Sequence, residues 1–205
     1  MPSTTIVFLL SPANCAGKRA QILLRSRTSV FAARLGGEGA PLGEVFTFMS
    51  SLYFRGKLTY ANAFGAPPGG WSGTLVMAPG MGLVRGDLTI RSNDLRAMAE
   101  VPVDPEEPRY REPLVRDARS LANALEADGR VVLLGSVATS KYIEPLTEVF
   151  GDRLLFPSAF VGRGDMSRGG LLLRCVRAGT PLEYVQVQGA LLHGPRPARL
   201  RKVGR

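Results

Sequence analysis

The chain has 205 residues, 45% of them apolar, with a formal charge of +9, two cysteines and one histidine. Such a length and apolar fraction exclude global disorder and call for one domain with a substantial core. No apolar run approaches the roughly 18 residues of a membrane span, so no membrane partner is expected. Cys15, Cys175 and His193 do not supply the three or four ligands in recognisable spacing that a zinc site takes. Neither a metal nor a cofactor is expected, and one histidine argues against Ser-His-Asp or Cys-His chemistry. The opening "MPSTTIVFLL" has too short an apolar part for a signal peptide and no basic residue ahead of it, which predicts a cytoplasmic protein. Charge is uneven. Residues 161–205 hold nine Arg/Lys against Asp165 and Glu183, whereas 98–117 hold six acids against three arginines. A basic surface favours a polyanion, so the expected partner is nucleic acid (DNA or RNA) or a nucleotide.

In chain order, "TIVFLL" (5–10) is a short apolar run ended by turn residues and predicts the first strand. "SPANCAGKRAQILL" follows, a tight turn leading into a helix that begins near Gly17. "PLGEVFTFMSSLYFRGKLTYANAF" (41–64) repeats Val45, Met49 and Leu52 at helical spacing, with aromatics spread around it. After the loop "APPGGWSG" (66–73) comes a second strand, "GTLVMA" (73–78). "VPVDPEEPRYREP" (101–113) reads as a loop. Leu114, Ala118, Leu121 and Leu125 then share one face of a helix that Gly129 stops. "RVVLLG" (130–135) and "RLLFP" (153–157) are the third and fourth strands. Between them "GSVATSKYIEPL" sets a helix N-cap at Thr139 or Ser140. Last come the loop "GRGDMSRGG" (162–170) and a hairpin of "GLLLRCV" (170–176) with "LEYVQVQG" (182–189). Strands alternating with helices predict a three-layer α/β/α sandwich around a mainly parallel sheet. Residues 1–194 form its single domain, and 195–205 a basic, flexible tail.

Ligands of such sheets bind beyond the carboxyl ends of the strands. The segments after all four strands are rich in Gly, Ser, Asn, Lys or Arg. On this basis Ser11, Asn14, Tyr53, Ser136, Tyr142 and Asp165 are the candidate base- and sugar-binding residues. Lys18, Arg19, Lys141, Arg163, Ser167 and Arg168 are the candidate phosphate binders. Asn14 either pairs with the edge of a base or ties the turn to its own backbone. Cys15 is either a thiol activated at a helix start or a small buried filler. Tyr53, Phe54, Tyr60 and Phe64, interleaved with Arg55 and Lys57, match a base-stacking surface, although aromatics at these spacings on a helix are more often core. In "GRGDMSRGG" the glycines free backbone amides to turn inward while Arg163 and Arg168 fork onto phosphate.

The order of these motifs resembles the uracil-DNA glycosylase-like superfamily. "LLSPANCAGKRA" stands where that family has a "GQDPYHGPGQA"-type loop, and "VVLLGSVATSKY" followed by "LLFPSAFVGRG" matches its later motifs in order and spacing. About a third of the chain is covered, in short motifs. A second resemblance, through "LYFRGKLTYANAF" and "LVMAPGMGLV", is to a bacterial domain related to the peroxide-stress protein YaaA and found beside deazaguanine DNA-modification genes. Both imply an α/β domain concerned with nucleobases or nucleic acid. The first also implies N-glycosidic bond cleavage or base exchange. The chain departs from it at two positions. Pro12 stands for the water-activating aspartate and Phe156 for the histidine that supports the leaving base. Asn14 is then the residue left to position water, and base binding is better supported than catalysis. The alternatives are an enzyme acting on a phosphorylated metabolite and a non-catalytic nucleic-acid-binding module.

Overall fold

The computed structural model describes residues 5–198. Its elements in chain order are β1 (Ile6–Leu10), α1 (Lys18–Arg25), α2 (Val30–Gly36), β2 (Ala40–Pro41), α3 (Leu42–Phe64), β3 (Thr74–Ala78), β4 (Gly82–Arg85) and β5 (Thr89–Ile90). They continue with α4 (Ser92–Ala99), α5 (Pro108–Ala124), β6 (Arg130–Leu134), α6 (Ser140–Phe150), β7 (Leu154–Pro157), α7 (Asp165–Ala178) and β8 (Tyr184–Gln186). Six strands form one sheet in the order β4-β3-β1-β6-β7-β8. The inner four are parallel, with Phe8 opposite both Thr74 and Val132, while β4 and β8 close the edges antiparallel. The short pair β2–β5 stands apart.

Alternation along β1 assigns the helices to two layers, because successive side chains leave a strand on opposite faces. Phe8 and Leu10 enter a core with α1, α2, α3, α4 and α7, whereas Val7 and Leu9 enter one with α5 and α6. The predicted three-layer arrangement with a mostly parallel sheet is the observed one. All four expected strands are present within a residue of their predicted limits. None of the described helices is long and apolar enough to cross a membrane.

Three expectations are corrected. Residues 162–170 are not an open loop, since the chain enters α7 at Asp165 with Gly164 as N-cap. "GLLLRCV" is consequently the body of a helix, not a hairpin arm. Only the second arm survives, as β8, which pairs with β7 through Leu155 and Gln186. The acidic 101–113 stretch is loop only to Glu107, the N-cap of α5, which begins at Pro108, six residues ahead of Leu114. Proline at N1 (Pro108) and the Glu107 side chain accepting from Arg109 N explain that early start. In the predicted tail, 195–198 lie against the body of the protein. A side chain on Gly162 would collide with Pro195 O, and Arg163 Nη1 donates to Ala198 O at 3.5 Å. Residues 199–205 fall outside the described range.

Gly169 of "SRGG" serves packing. A Cβ at Gly169 would lie 2.6 Å from Leu52 O and 2.8 Å from Tyr53 Cα. On the facing helix, one at Gly56 would lie 2.7 Å from Gly169 O. Helices α3 and α7 therefore touch backbone to backbone. Helix α3 itself is broken at Ser51, the one non-glycine residue at positive φ among those described (φ 53°, ψ −126°).

Candidate functional site

Strand order locates the site. From β1 the chain crosses to β3 on one side, and from β6 it crosses to β7 on the other, so β1 and β6 flank the switch point where a crevice opens. A cleft of about 600 Å³ occupies that crevice. Ser11 enters it from the end of β1, Ser136 from the end of β6 and Pro79 from the end of β3. Gly135 makes the junction possible, because a Cβ there would stand 3.0 Å from Ser11 Cβ and 3.3 Å from Ser11 Oγ. Tyr53 and Lys57 border the cleft from α3, Lys141 and Tyr142 from α6, and Asp165 from the first turn of α7.

Lys57, in a stretch whose sequence fits either a stacking surface or a core, is not among the candidate site residues. It is 1% exposed. Its Nζ donates to Ser11 O at 2.6 Å and to Ser11 Oγ at 2.8 Å. The ring centroids of Tyr53 and Phe54 lie 4.6 and 4.9 Å from it. No carboxylate among the described residues comes within 4.0 Å. Loss of hydration drags the ammonium down to about pKa 7, with Arg168 pulling the same way and Asp165 opposing. As placed, the nitrogen donates to both Ser11 oxygens, and the Ser11 hydroxyl donates to Leu134 O at 3.4 Å. One signal was readable in the sequence. Lys57 follows Tyr53 and Phe54 by four and three residues, which puts all three on one helical face. That the face is buried depends on Ser11, 46 positions away.

The other candidates divide. Ser11, Asn14, Tyr53, Ser136, Tyr142, Lys141 and Asp165 all line the cleft. Asn14 sits exposed at its edge and makes the turn contact, its Oδ1 accepting from Ala16 N at 3.1 Å. Ser136 Oγ similarly accepts from Ala138 N at 3.4 Å. Tyr142 is buried and its hydroxyl is pushed up to about 12. Cys15 also borders the cleft, but burial pushes its thiol up to about 12, so it is the filler and not the activated thiol. Phe54 and Tyr60 are fully buried, which removes them from any stacking surface. Phe54 meets Phe46 edge-on, and the Tyr60 hydroxyl lies 2.5 Å from that of Tyr184.

Five of the six expected phosphate binders lie outside the cleft lining. Lys18 and Arg19 are exposed at the start of α1, with Arg19 donating to Phe48 O at 3.4 Å. Arg163 and Ser167 hydrogen-bond each other at 3.2 Å beside a separate groove of about 370 Å³ shared with Arg174 and Arg196. The fifth, Arg168, is buried. Its Nε and Nη2 both donate to Phe160 O, at 3.2 and 3.1 Å, and its guanidinium rests on the Phe160 ring. A free phosphate-gripping fork is therefore the wrong description of Arg168, which closes the turn before α7. Pro12 lines the cleft, while Phe156 is fully buried within β7 on the α5/α6 side of the sheet. Among the described residues no group of three His, Cys, Asp or Glu side chains is arranged to hold a metal ion. No protein-family model matches the chain, and neither curated proteins nor solved structures give a match.

Proposed function

We propose that the protein binds a nucleobase, carried by a nucleotide or by a nucleic acid, in the β1/β6 cleft. The observation that carries this reading is the gathering of Ser11, Asn14, Tyr53, Ser136 and Tyr142 around one crevice of about 600 Å³ at the switch point. That volume falls within the range of small-molecule sites, which runs from roughly 300 to 1,000 Å³. The Asn14 amide has both a donor and an acceptor end for a base edge. Lys141, in the first turn of α6, suits an anion beside the helix's N-terminal amides. The reaction class that the family resemblance adds is N-glycosidic cleavage, with Asn14 positioning water. With Pro12 in the cleft and Phe156 in the core, binding is the stronger half of the reading.

One observation favours a free nucleotide as the ligand over a strand. Arg163 borders a different groove and Arg168 is consumed by Phe160 O, which leaves Lys141 as the cationic residue on the cleft's rim beside the buried Lys57. Fluorescent nucleotides and labelled single- and double-stranded DNA and RNA, titrated across a salt series, test both versions. A strand predicts affinity that falls steeply with salt, and a free nucleotide predicts a shallow dependence. Binding of none of these at low salt, or binding unchanged in Asn14→Ala and Ser136→Ala, overturns the reading.

A further inference from the structure

The cleft floor pairs Ser11, already counted toward base binding, with Lys57, which that reading does not use. We propose that Ser11 and Lys57 form a nucleophile–base pair, with Ser11 Oγ attacking the carbonyl carbon of a small ester and the Lys57 amine taking its proton. The proposal goes beyond nucleobase recognition and does not depend on it.

Geometry carries the assignment. Oγ and Nζ are 2.8 Å apart, within the reach that a base needs to its nucleophile. One N–H of the amine is committed to Ser11 O at 2.6 Å, which fixes the nitrogen relative to the same residue whose hydroxyl it would deprotonate. Two aromatic rings close the remaining sides. Ser11 ends β1 at the switch crevice, and Gly135 opposite it leaves room at Oγ. As an ammonium, Lys57 uses both Ser11 oxygens as acceptors; as a neutral amine, the same nitrogen at 2.8 Å can accept from the hydroxyl in place of Leu134 O.

As the Oγ–C bond forms, the neutral amine accepts the Oγ proton and the carbonyl π pair moves onto oxygen. Collapse expels the alkoxide, which leaves as the alcohol with the proton from the Lys57 ammonium and leaves Ser11 acylated. Water then attacks the acyl carbon and gives a proton to Lys57. Breaking of the Oγ–C bond returns that proton to Ser11 and releases the acid. The sum is ester plus water giving acid plus alcohol, with the protein unchanged.

The other charged or titratable groups around the pair are Asp165 and Arg168 from α7, Tyr53 from α3, Lys141 and Tyr142 from α6, and Cys15 after β1. Burial pushes the hydroxyls of Tyr53 and Tyr142 and the thiol of Cys15 upward, away from neutrality. The full chain is treated with a fluorophosphonate probe and, separately, with p-nitrophenyl acetate, from about pH 5 to about pH 9, spanning the pKa of a base tuned near neutrality. The expected result is a single adduct on Ser11, located by peptide mass spectrometry, whose rate of formation rises through about pH 7. Ser11→Ala abolishes it. Lys57→Arg slows it by about 100-fold or more while keeping a cation and donors in place, since a guanidinium cannot accept the proton. Adduct on another residue, a flat pH profile in the wild-type protein, or full reactivity in Lys57→Arg overturns the pair. So does trapping of an aldehyde on Lys57 by borohydride with no acylation of Ser11, which would make the amine itself the nucleophile. Should Lys57→Arg fail to fold, the wild-type pH profile still decides.

Discussion

Two stretches of this chain look alike on paper and do opposite things. "SPANCAG" and "GRGDMSRGG" both mix glycine with polar residues after a buried strand. The first, with Ser136 across from it, leaves its polar groups at the rim of a cleft. The second spends Gly169 on contact with α3 and Arg168 on Phe160 O, and only Asp165 reaches the cleft. Glycine next to arginine is thus no measure of availability. What separates the two is whether a neighbouring backbone stands where a side chain or ligand would go.

The comparison breaks most readily at the packed stretch. Gly169→Val drives a branched side chain into Leu52 O and is expected to cost about 3 kcal/mol, read by urea unfolding. A loss under about 0.5 kcal/mol, the usual effect of a surface change, would mean the segment is as open as its composition implied. Next, Arg168→Met removes two of the donors to Phe160 O, which keeps the Arg163 backbone N–H, and should destabilise by about 1 kcal/mol, while nucleotide affinity holds within about twofold. A tenfold loss of binding with unchanged stability would restore Arg168 to the ligand.

Lys57 sharpens the contrast from the cleft side through pH. Its pKa lies at about 7 in the folded chain against an ordinary 10.5. Below about 7 both states carry the proton, and the burial penalty is full. Above that the unfolded chain holds a proton that the folded one has released, so stability rises with pH. The slope is at most about 1.4 kcal/mol per unit. Subtracting the pH dependence of Lys57→Met between about pH 7 and about pH 9 isolates this group from Cys15, whose raised pKa acts with the opposite sign above that window. A difference curve that is flat or falls with pH would place a charged, solvated lysine in the cleft. The smallest stability effect is expected for Asn14→Ala at the exposed rim, within about 0.5 kcal/mol by chemical unfolding, alongside a loss of nucleotide binding of about tenfold.

Much of the scaffold was legible because burial on both faces writes unbroken apolar runs. "VFLL", "LVMA", "VVLL" and "LLFP" became β1, β3, β6 and β7 for that reason. Helix α7 was not, since Gly169 and Gly170 weaken its local signal and "LLLRCV" imitates a strand. Its helicity comes from lying on α3, a partner over a hundred residues earlier. Seven of the twelve candidate residues fell on the cleft because the ends of parallel strands converge whatever their loops contain. Lys57 escaped for the converse reason, as a helical residue that enters the cleft from the side.

The break at Ser51 has a mechanical meaning. Run straight, the 23 residues of α3 would extend about 34 Å, about the breadth of a small domain, and would overshoot the crevice. With the corner in place, Ser50 and Tyr53, one from each side of the break, both line the cleft. Glycine would make that corner with less strain and more play. Holding it with serine keeps the bend stiff, so that the arm bearing Lys57 behaves as a bracket rather than a flap.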